Sequence, residues 1–64
     1  MTYGEMVRKV LHIARKMDSN ELYGVITMYR VALRTYAEDG DAYSRGKLRD
    51  AEIELADAYK ENQR

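Results

Sequence analysis

Apolar residues recur along this chain at intervals of three and four, the spacing that sets them on one face of a helix. In the first segment the stripe is Tyr3, Met6, Val7, Val10, Ala14 and Met17, with Glu5, Arg8, Lys9, His12, Arg15 and Lys16 on the other side. Thr2 and Glu5 stand at the spacing of a capping box, in which a hydroxyl and a carboxylate satisfy free N–H groups at a helix start. These signals predict a helix over about 3–17.

Asp18-Ser19-Asn20-Glu21 reads as a break and a restart, with Ser19 and Asn20 both suited to cap a second helix. Beyond it Leu22, Ile26, Tyr29, Leu33 and Tyr36 follow a heptad-like rhythm that Gly40 and Tyr43 continue in phase. On the far side Gly24, Met28, Val31 and Thr35 form a second, smoother stripe, and only Arg30 and Arg34 carry charge between 22 and 37. A helix apolar on most of its circumference is buried on most of it, so this segment is expected at the centre.

Two signals disagree about where the second helix ends. Asp39-Gly40 has the form of a helix C-terminus, where glycine adopts the left-handed conformation cheaply. The phase of Tyr43 favours a helix that continues through Gly40 and stops near Ser44, and that longer helix is the expectation taken here. A third helix is then expected over about 47–62, with Leu48, Ala51, Leu55, Ala58 and Tyr59 on its inner face. It carries alternating charges elsewhere, and its last residues, Glu61 to Arg64, are expected to fray.

The expected architecture is one all-α domain of three antiparallel helices, short–long–short, at about 3–17, 20–44 and 47–62. Two helices of about 22 Å flanking one of about 36 Å would leave part of the long one uncovered, which suggests completion by dimerisation.

Within this pattern, Tyr36-x3-Gly40-x2-Tyr43 followed by Ala51-x3-Leu55 and Ala58 resembles the small/aromatic spacing of one tetratricopeptide-type helical hairpin. The likeness covers residues 36–58. Asp39 stands where that pattern has leucine, the closing proline is absent, and the glycine-to-alanine interval is one residue short. It marks a shared solution to close helix packing rather than membership.

Composition narrows the function classes. A chain of 64 residues buries only about 60% of the surface its unfolded form exposes, and domains of this size are often stapled by disulfides, a metal or a partner. Cysteine is absent and His12 is the only histidine, so disulfides and thiolate or multi-histidine metal sites are excluded and a partner chain remains. Lys+Arg and Asp+Glu both number 11, which removes the simplest argument for a nucleic-acid binder. Absence of an apolar span, a signal pattern and cysteine makes the cytoplasm the expected location, with no membrane partner and no cofactor.

The charge is nonetheless uneven. Residues 1–17 hold four Lys/Arg against one acid, and residues 18–44 hold two against five. Arg8, Lys9, His12, Arg15 and Lys16 are therefore the candidate contacts for an anion or a nucleic acid, weighed against an ordinary solvated face. His12 as a catalytic base would need a nucleophile or an orienting acid beside it, and its helical neighbours are mostly cationic. Glu38-Asp39-Gly40-Asp41 fits a calcium loop poorly, since Ser44 stands where that loop needs glycine.

All six aromatic residues are tyrosine, a residue type enriched at interfaces. Tyr23, Gly24, Met28, Val31, Thr35, Tyr43 and Tyr59 are the candidate partner or oligomer contacts. The reading is a non-enzymatic protein–protein interaction module, a homodimer that binds and modulates a larger protein. Nucleic-acid binding through the basic face of the first helix is the alternative.

Overall fold

Local hydrogen bonds at the helix ends set the frame of the structure. In the computed structural model, which describes residues 2–62, these residues form α1 (Tyr3–Met17), α2 (Asn20–Asp39) and α3 (Ala42–Glu61). Among the described residues there is no strand. Gln63 and Arg64, where fraying was expected, lie outside the described residues.

The Thr2 hydroxyl accepts a hydrogen bond from the Glu5 N–H at 3.2 Å, as the capping spacing predicts. At the other end of α1 the Ser19 N–H donates to the Ala14 carbonyl and the Asp18 N–H to that of Arg15. This is the paired closure of a Schellman motif, with Asp18 in the left-handed position at φ 52°. Ser19 then caps α2, its hydroxyl accepting from the Leu22 N–H at 3.2 Å.

The expected long second helix does not form. Gly40 takes φ 62° and its N–H donates to the Tyr36 carbonyl at 2.8 Å, ending α2 at Asp39 rather than near Ser44. Asp41 caps the next helix: its carboxylate accepts from the Ser44 N–H at 2.8 Å and from the Ser44 hydroxyl at 2.6 Å. The third helix therefore starts at Ala42, not near 47, and the lengths are 15, 20 and 20 residues, not short–long–short. Two adjacent cap signals outweigh the phase of Tyr43, whose side chain stays 73% exposed and so adds no burial to favour a continuous helix.

Each helix touches the other two, and α2 and α3 share the broadest contact. The core consists of Val7, Val10 and Ala14 from α1, Leu22, Ile26 and Tyr29 from α2, and Ala51, Leu55 and Ala58 from α3. Three of these nine residues are alanine, which lets the helices approach closely but limits the apolar area each contributes. Among the described residues no helix is long and apolar enough to cross a membrane.

The core does not fill the hairpin made by α2 and α3. Tyr3, at the start of α1, packs its ring 6.1 Å from that of Tyr29. Up to that level the α2 stripe is buried, with Tyr29 at 8% exposure; one turn further, Leu33 is 45% exposed. The sequence reading had each flanking helix leave part of the centre bare. In the structure it is α1 alone that falls short.

Two predictions follow from the caps. Gly40→Ala should destabilise the fold by about 1 kcal/mol, because a side chain is strained in the left-handed region, whereas in a continuous helix it would stabilise by a similar amount. Denaturant melts read the sign. The second concerns pH. Hydrogen bonds donated by the Ser44 hydroxyl and N–H hold the Asp41 carboxyl below its ordinary value. That contribution is fully present above the unfolded carboxyl value and is lost as pH falls through the lower folded one. Asp41→Asn should accordingly show a weaker loss of stability on acidification than the parent chain.

Candidate interaction surface

The side of the α2–α3 hairpin that α1 leaves bare carries a groove along the seam of the two helices. Its first stretch, about 470 Å³, is lined by Met17, Ser19, Glu21, Leu22 and Val25 against Glu54, Asp57, Ala58, Glu61 and Asn62. Its second, about 320 Å³, is lined by Met28, Val31, Ala32 and Thr35 against Lys47, Asp50, Ala51 and Glu54. Glu54 borders both, so the two stretches adjoin.

Helical periodicity builds each wall as a straight row. Along α2 the row is Glu21, Val25, Met28, Ala32 and Thr35; along α3 it is Lys47, Asp50, Glu54, Asp57 and Glu61. Steps of three and four keep each row on one face. The walls differ in chemistry. The α2 row is apolar through its middle, and Met28 is 60% exposed. The α3 row presents four carboxylates, and Lys47, its one cation, lies with Nζ 5.5 Å from the centroid of the Tyr43 ring.

Of the residues singled out as partner contacts, Met28, Val31 and Thr35 are brought together in this groove. Gly24 is exposed, with no atom within 4 Å of where a Cβ would sit, so no helix of this chain uses it for close approach. Tyr23 is half-buried and packs against the core. Tyr43 is exposed, with the Lys47 ammonium over its ring. The carboxylates of the α3 wall were not singled out. Their spacing was the available signal, but alternating charges on a helix also describe a solvated face.

On the other flank of α3 lies a shallow depression of about 340 Å³ lined by Arg8, Lys9, His12, Ile13, Tyr59 and Asn62. The packing of α3 on α1 thus sets Tyr59 among three members of the basic stripe. Arg15 and Lys16 are exposed on the last turn of α1, outside the depression, where cations complement the helix dipole. The two surfaces differ in sign, with Arg8 and Lys9 at the depression and mostly carboxylates along the α3 wall of the groove.

Tyr29, beneath the edge of α1, has its phenol pushed up by burial, with the Glu52 carboxylate and Tyr3 adding to the shift. Among the described residues no group of three or more His, Cys, Asp or Glu side chains could hold a metal ion. Comparison with known protein families, with curated proteins and with solved structures finds no match to this chain. The tetratricopeptide-like spacing does not fall within one helix either, since Tyr36 lies in α2, Gly40 caps it and Tyr43 belongs to α3.

Proposed function

We propose that the chain is a non-enzymatic helical interaction module, an antiparallel three-helix unit that forms a homodimer and binds and modulates a larger protein. The observation that carries the reading is the change of burial along one stripe of α2, from Tyr29 at 8% to Leu33 at 45%. A residue in phase with the core that stands this exposed, with Tyr36 next along the same stripe only half-buried, has the character of a surface meant to be covered. A second copy supplies that cover most simply, because closed twofold pairing lets one patch bury itself against its own image. The groove on the opposite side then remains for the larger protein.

Sedimentation equilibrium tests the dimer. The parent chain should sediment as a dimer at tens of micromolar, and Leu33→Glu as a monomer with unchanged helical circular dichroism. A strict monomer of the parent chain at high micromolar concentration removes the dimer from the reading.

A second reading is favoured by one observation, the placement of Tyr59 beside Arg8, Lys9 and His12. Cations with an aromatic face among them suit a single-stranded nucleic acid, where phosphates pair with the cations and a base stacks on the ring. This reading expects binding of a short single-stranded oligonucleotide at low salt, falling steeply as salt rises, and weakened by Arg8→Ala with Lys9→Ala. No shift at low salt ends it.

A further inference from the structure

We infer that the groove between α2 and α3 is a docking site for a basic amphipathic helix of another protein. The inference rests on the reading of the chain as an interaction module and names the partner's chemistry. Its first support is shape. The rows that line the groove run from Glu21 to Thr35 and from Lys47 to Glu61, which is about 21 Å of helix on each wall. A helix of about four turns matches that length, and a helix laid in a groove between two others is a common mode of recognition.

The second support is charge and polarity. An incoming helix would meet Val25, Met28 and Ala32 on one side and Asp50, Glu54 and Asp57 on the other. It must therefore carry an apolar stripe and, beside it, Lys or Arg at intervals of three and four. An acidic helix would be repelled, and a wholly polar one would leave the α2 wall wet.

A second copy of this chain does not fit as well. Its only strongly cationic helix, α1, has buried its apolar stripe of Val7, Val10 and Ala14 in its own core. What α1 has left beside its cations is Tyr3 and Met17, exposed at its two ends, and Leu11 and Ile13, half-buried between them, which do not make a continuous exposed apolar stripe. Two grooves facing each other would set the carboxylates either against carboxylates or against the apolar α2 wall, and leave them without cations in both cases. The occupant that satisfies both walls comes from a different chain.

The test is a titration of the intact chain against a fluorescent Leu/Lys peptide of about 16 residues patterned as an amphipathic helix. A peptide of the same composition in scrambled order and a Leu/Glu counterpart accompany it, read by anisotropy at two salt concentrations. The amphipathic Leu/Lys peptide should bind, less tightly at higher salt, and the other two should not. Glu54→Lys with Asp57→Lys, both at exposed positions, should weaken binding at least about tenfold. Glu5→Lys, an exposed acid on α1 that lines neither stretch of the groove, should leave it within about twofold, as expected of a charge distant from the binding site.

Equal binding of the scrambled peptide, or binding that the paired Lys substitutions leave unchanged, overturns the inference. So does a parent dimer that those substitutions convert to a monomer, since the groove would then be the self-association surface. A parent chain that sediments as a monomer yet binds the amphipathic peptide with the expected variant pattern upholds the groove and removes only the dimer.

Discussion

A helix of 15 residues cannot cover a hairpin built from two of 20, and the half of the hairpin without a shared core, from Leu33 onward, depends on that mismatch. With α1 seated against the Leu22–Tyr29 part of α2 and the Ala51–Ala58 part of α3, the nine core residues gather there. The other half of the hairpin is held by the α2–α3 contact and by the turn at Gly40 and Asp41. Ser44 is the one buried polar residue in that half, and its hydroxyl is satisfied by Asp41. The hairpin's end is therefore fixed locally by hydrogen bonds rather than by a layered core.

The parts of the fold legible in the sequence are those decided within a few residues. Thr2 with Glu5 and the three-four stripe place α1 at its observed limits, and Ser19 restarts the chain as its cap. The end of α2 shows the limit of periodicity as a guide. Tyr43 is in phase with Tyr36, but phase has energetic force only if the side chain has something to pack against. The left-handed Gly40 and the capping Asp41 act whether or not a neighbour is present, so they decide the turn.

The candidate site was half legible for a related reason. Met28, Val31 and Thr35 stand out because they are uncharged on the outer side of a helix whose inner side is already apolar. Asp50, Glu54, Asp57 and Glu61 do not stand out, because a run of charges at the surface needs no explanation until the helix opposite is known. Tyr59 joins Arg8, Lys9 and His12 only through the packing of α3 on α1, far apart in sequence. Pairing between distant segments, not any property of the residues alone, creates these two surfaces.

The acidic wall also bears on how an open apolar groove is tolerated. Apolar surface left bare favours association with any apolar partner, including another copy of the same chain. Placing Glu21, Asp50, Glu54, Asp57 and Glu61 along it means that two grooves can meet only with like charges opposed or with carboxylates buried unpaired against the apolar wall. It also rejects uncharged or acidic helices that the α2 wall alone would accept, since burying an unpaired carboxylate against them is costly. The same carboxylates that keep the empty groove apart from its copies thus select the cationic helix that can fill it. One row of side chains serves both ends because repulsion of like charge and attraction of opposite charge are the same interaction with the sign reversed.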